Sequence, residues 1–127
     1  MKNFKKYYKI NATPEEVYNA LVNPNLIEIW TDSEVIMSEE VGSEFSLYDG
    51  DLVGKNLEFE KNKKLVQQWY FGEDGPESIV TIKLHEDKYG TSVELNHTNI
   101  PDEAYDNITE GWTQGYFGSI LDLFEEE

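Results

Sequence analysis

The sequence predicts an α+β domain in which a curved antiparallel sheet of six to seven strands wraps a long C-terminal helix, with two short helices after the first strand. Three observations carry this. Residues 44–98 divide into short segments of alternating hydropathy separated by turn residues, the pattern of consecutive antiparallel strands. The run Thr13-Pro14-Glu15-Glu16 is a capping box that opens a helix directly after the first strand. Between Tyr105 and Phe124 apolar residues recur at helical spacing.

The elements follow in order. Phe4 to Asn11 reads as a strand. Thr13 suits the N-cap, Pro14 the first helical position, and Glu16 can bond back to the Thr13 amide. Val17 and Leu21 give that helix an inner face. Asn23-Pro24 stops it and caps a second short helix through Ile29, which Trp30 closes. Strands are predicted at Glu44–Tyr48, Leu52–Glu60, Leu65–Phe71, Ser78–Glu86 and Thr91–Thr98. Asp49-Gly50 is a hairpin signal, and the other breaks are the turn Lys61–Lys64, the loop Gly72–Glu77 and the turn Asp87–Gly90. After Ile100-Pro101 a helix of about 22 residues, roughly 33 Å long, is expected to reach Phe124. Tyr105, Ile108, Trp112, Tyr116, Phe117, Ile120, Leu121, Leu123 and Phe124 fall on one stripe of its wheel, and the sheet is the only apolar floor long enough to receive it. The acidic tail Glu125-Glu126-Glu127 opposes the helix dipole and is expected to fray.

Composition narrows the function classes. The 127 residues suit one domain, expected to span 1–127. There is no cysteine, hence no disulfide framework, thiolate metal site or thiol nucleophile. The formal charge is −16, from 26 acidic against 10 basic residues, a field that repels nucleic-acid backbones and anionic lipid surfaces. Every basic residue is a lysine, so no planar fork is available for carboxylate or phosphate. No run approaches the roughly 20 apolar residues of a membrane span, and the lysine-bearing N-terminus lacks a secretory apolar segment; no membrane insertion and a cytoplasmic location are expected. Asp49, Asp51, Gly54 and Glu60 fall at calcium-loop spacing, but Val53 interrupts it and a hairpin explains the same residues. No metal and no cofactor is expected.

The order of elements resembles the helix-grip fold of START-like (SRPBCC) proteins. The stretches Ala12–Tyr18, Leu26–Trp30, Gly50–Gly54, Leu65–Trp69, Ser78–Ile82, Gly90–His97 and Gly111-Trp112 are similar to the family of activators of heat-shock protein 90 ATPase. The segment Gly111–Phe117 through Phe124 resembles the C-terminal domain of the eukaryotic co-chaperone. The resemblance departs at Ser43, where the family often has a second glycine beside Gly42. Co-chaperones of the family carry a separate N-terminal domain, expected to be absent here because the chain opens on its first strand.

A gripping sheet and one helix leave space between them, and the resemblance implies a cavity there. Its expected lining is Trp30, Gln67, Trp69, Phe71, His97, Trp112 and Tyr116. The first reading is a non-enzymatic binding domain holding a small apolar or lipid-like molecule. The alternatives are a co-chaperone-type module that binds heat-shock protein 90 and modulates its ATPase, and a cyclase or hydrolase on the same fold. The same aromatic residues also suit a filled core. His97 finds no carboxylate or hydroxyl placed beside it by spacing, and serine-nucleophile and phosphate-loop motifs are missing, so no catalytic residue is assigned. Gly111, Gly115 and Gly118 are unusual inside a helix; they suggest either close approach of another backbone, including a second copy in a homodimer, or a local irregularity of the helix.

Overall fold

The computed structural model describes residues 1–72 and 75–125. Glu73 and Asp74 of the predicted loop, and Glu126 and Glu127 of the predicted frayed tail, lie outside the described residues. Strand β1 spans Lys2–Ile10 and is followed by helices α1 (Pro14–Val22) and α2 (Pro24–Thr31). Strands β2 (Glu44–Leu47), β3 (Leu52–Glu60), β4 (Lys64–Trp69), β5 (Ser78–Asp87) and β6 (Gly90–Ile100) come next. The C-terminal helix is built from α3 (Tyr105–Glu110), a π-helical turn (Gly111–Tyr116) and α4 (Phe117–Leu123).

Six strands form one antiparallel sheet in the order β1-β6-β5-β4-β3-β2. The first strand pairs with the last, Tyr8 opposite Val93 and Ile10 opposite Thr91, so α1 and α2 carry the chain from one edge of the sheet to the other. Alternation sends Leu65, Gln67 and Trp69 of β4, Val80, Ile82 and Leu84 of β5, and Val93, Leu95 and His97 of β6 to the buried face. The capping box forms as its residues predict: the Glu16 amide donates to Thr13 Oγ1 at 3.2 Å and the Thr13 amide to Glu16 Oε1 at 3.0 Å. The C-terminal helix runs along the buried face, with Phe4 edge-on to Tyr105, Tyr8 stacked on Phe117 at 4.5 Å and Trp69 stacked on Trp112 at 4.5 Å.

That helix departs from its ideal wheel. Trp112, Tyr116, Phe117 and Ile120 are buried as expected, but Leu121 is 37% exposed. The cause is the π turn, whose wider winding rotates every later residue away from its α-helical position. Gly118 sits where this turn demands it: a Cβ there would lie 2.7 Å from the Thr113 carbonyl oxygen. At Gly111 and Gly115 an added Cβ meets no atom within 4 Å, and neither backbone is left-handed. The local irregularity thus accounts for Gly118 and leaves the other two facing open space. Replacing Gly115 with alanine should raise stability by up to about 1 kcal/mol, the helix-propensity difference, whereas Gly118→Ala should lower it; chemical denaturation of the two variants checks the opposite signs.

Candidate functional site

The interior between helix and sheet is organised by two tryptophans. Trp69, at the end of β4, and Trp112, at the start of the π turn, stack with ring planes 21° apart. Each indole N–H then begins a chain of buried hydrogen bonds. Trp112 Nε1 donates to His97 Nδ1 at 3.0 Å. An indole can only donate, so Nδ1 is the acceptor and the imidazole proton sits on Nε2. That N–H faces Ser78 Oγ at 2.8 Å, and the serine hydroxyl donates to the Thr98 carbonyl at 3.0 Å. The second chain runs from Trp69 Nε1 to Gln67 Oε1 at 3.2 Å, and from Gln67 Nε2 to Asn56 Oδ1 at 2.9 Å. From there Asn56 Nδ2 donates to Ser43 Oγ at 3.1 Å, and Ser43 to the Glu40 carbonyl at 2.6 Å. Both chains end on backbone carbonyls, so the buried polar atoms along them are satisfied.

This ordering decides what the Ser78–His97 pair can do. A base must receive a serine proton on a bare imidazole nitrogen. Here Nε2 already carries its proton toward Ser78, and Nδ1 is held by Trp112, so the pair is a structural relay. Burial pushes the His97 pKa down from its usual 6.5 to about 4, which keeps the ring neutral.

The seven residues expected to line a cavity separate into groups. Trp69, Trp112 and Tyr116 border a groove of about 350 Å³, open to solvent, between the C-terminal helix and the start of β3. Trp30, Gln67 and His97 stand behind it: Trp30 donates to the Ala20 carbonyl at 2.9 Å and meets Tyr116 edge-on at 4.9 Å, and the other two are held in the hydrogen-bond chains. Phe71 packs 6.3 Å from the His97 ring and borders a separate surface depression.

Sequence reasoning missed much of the groove wall. Tyr48 and Asp51 come from the β2–β3 connection, Leu52 from the start of β3, and Asn107, Gly111 and Gly115 from the helix. Tyr48 and Asp49 both take left-handed backbone angles (φ 55° and 56°) ahead of Gly50 at φ 94°. This is the hairpin that Asp49-Gly50 signals, but its left-handed stretch begins one residue earlier and at a tyrosine, a conformation of real local cost. Its effect is to set the Tyr48 ring at the groove, 6.4 Å from Trp30. The two glycines were the readable signal, since a bare helix backbone needs a reason. Among the described residues no group of three or more acidic or histidine side chains is placed to hold a metal.

A family model described as activator of Hsp90 ATPase homolog 1-like protein matches residues 11–125. The chain belongs to this family. Among its relatives, an activator of 90 kDa heat shock protein ATPase homolog from Dictyostelium discoideum is 32% identical over 97% of this chain and 33% of that protein. Homolog 1 from Homo sapiens is 23% identical over 89% of this chain and 34% of that protein. The chain therefore spans about a third of the length of these relatives. Among solved structures, an HSP90 activator from Plasmodium falciparum superposes with a TM-score of 0.88 at 26% identity, covering 95% of this chain and 94% of that one. The Aha1 dimer from Colwellia psychrerythraea shares the fold at a TM-score of 0.77 and 20% identity, over 98% and 94% of the two chains. The helix-grip fold of this family is thus the fold of the chain.

Two outcomes follow from the relay. Trp112→Phe keeps an aromatic ring but removes the N–H-bearing half of the indole, which leaves His97 Nδ1 without its donor and a gap in the core, and should cost at least about 1–3 kcal/mol in denaturant titrations. Because the unfolded chain takes up the imidazole proton near pH 6.5 and the folded one only near 4, this part of the stability is complete above about pH 6.5. It is lost as the pH falls from there to about 4, and totals roughly 3 kcal/mol. Denaturation measured across that window should show a steeper slope in the parent chain than in His97→Gln, the difference being the histidine's share.

Proposed function

We propose that this domain is a non-enzymatic partner module of a heat-shock protein 90-type chaperone and modulates its ATPase. The observation that carries the reading is the agreement, over nearly the whole of both chains, with the structure of a Plasmodium falciparum HSP90 activator. The 32% identity to the Dictyostelium relative supports it along the sequence. The interior supports it too: its buried histidine and serine are committed to a relay, and Gln67, Asn56 and Ser43 are paired with one another. The net charge of −16 then acts by steering, raising encounter rates with a basic surface.

A second reading is favoured by one observation, the groove. It is bordered largely by apolar and aromatic side chains and lies within the size range of small-molecule sites. On this reading the domain holds a small apolar molecule against Trp69, Trp112 and Tyr116, at the mouth of the space between helix and sheet.

Mixing the purified chain with heat-shock protein 90 tests the first reading. Co-elution and a changed ATPase turnover are expected, with binding that weakens as salt rises from about 50 to about 300 mM. Unchanged turnover and no co-elution would remove it. For the second reading, native mass spectrometry of gently purified protein should show an added small-molecule mass that Gly115→Leu abolishes.

A further inference from the structure

We propose that the groove between the C-terminal helix and β3 selects organic cations, taking an apolar ligand that carries an ammonium group. The inference rests on the second reading above and names the chemistry of that ligand. Four aromatic residues border the groove: Tyr48, Trp69, Trp112 and Tyr116. Trp69 and Trp112 stack on each other and are almost fully buried, so the π surface left for an ammonium group is that of the two tyrosines, whose ring faces carry negative electrostatic potential. Among the described residues the single charged one on the wall is Asp51, an exposed carboxylate, and no lysine borders the groove.

The phenols add a second kind of partner. Tyr116 is 5% exposed, and neither it nor Tyr48 has a hydrogen-bonding side-chain partner within the described protein, although both border the groove. Burial pushes both phenols' pKa values up, so each stays neutral and each oxygen can accept an N–H. Gly111 and Gly115 leave the helix backbone bare on the same side, with open space where their side chains would stand. Around all this lies a molecule of charge −16, which concentrates cations and disfavours anions before any contact is made.

A series of equal chain length tests the charge preference: hexylammonium, 1-hexanol and hexanoate, titrated into the intact chain. Indole N–H resonances of Trp69 and Trp112 and the fluorescence of the chain report occupancy. Hexylammonium should bind about tenfold more tightly than hexanoate, with hexanol between them, as expected when an aromatic wall and one exposed carboxylate act together. Asp51→Asn should shrink the gap between hexylammonium and hexanol, and Gly115→Leu, checked by its melting curve to be folded, should abolish binding of all three. Hexanol binding at the groove as tightly as hexylammonium would overturn the cation preference and leave the groove-ligand reading standing. If none of the three moves the indole resonances, both fall. Hexylammonium binding to Gly115→Leu as to the parent would place the cation on the acidic surface and likewise overturn the proposal.

Discussion

The stack of Trp69 on Trp112 is the contact on which the rest of the interior depends. It joins the end of β4 to the start of the π turn. Its two indole N–H groups must be satisfied once buried, and each starts a chain of bonds that runs away from the helix into the sheet. One chain crosses to β6 and β5 through His97 and Ser78; the other crosses to β3 and the loop before β2 through Gln67, Asn56 and Ser43. Aromatic packing thus joins helix to sheet, and the relays fix which way each ring faces. Ser43 links Asn56 to the Glu40 carbonyl.

The π turn has a comparable reach. It begins at Gly111, just before Trp112, and ends at Tyr116, so both rings project from it. Its wider winding brings the Thr113 carbonyl to the place a Gly118 side chain would occupy and turns Leu121 outward. The same stretch leaves Gly111 and Gly115 bare beside Tyr48 and Leu52, which opens the groove. Core packing and groove shape are therefore set by one short segment.

The two edges of the sheet are protected in different ways. β1 carries Lys2, Lys5, Lys6 and Lys9, charges that discourage a further strand from pairing there. Two of them neutralise local acids, Lys9 with Asp87 and Lys5 with Glu94 at 3.8 Å. At the other edge β2 is only four residues long, and the bridge between Ile36 and Ser46 occupies part of it. Four of the ten lysines thus guard one edge of the sheet in an otherwise acidic chain.

Much of the architecture was written in local sequence. Hydropathy alternation marked the strands of residues 44–98, the capping box marked α1, and helical periodicity marked the C-terminal helix, because these signals arise between residues a few positions apart. Of the seven residues expected around a cavity, Trp69, Trp112 and Tyr116 border the groove, while Trp30, Gln67 and His97 are buried behind it and Phe71 borders another depression. Their division into groove wall, buried relay and separate surface was not legible, since it turns on which ring covers which. Nor was the pairing of β1 with β6, a contact between residues about ninety positions apart in the chain. The three glycines signalled an irregular helix as one alternative, but its π winding and the left-handed Tyr48 escaped, because each is a local distortion that only surrounding packing makes favourable. By itself the sequence determined the elements, their order and the acidic field, all properties of neighbouring residues and of totals. The groove, the imidazole's single tautomer and the role of the glycines were decided only when the tertiary structure brought helix, hairpin and sheet face together.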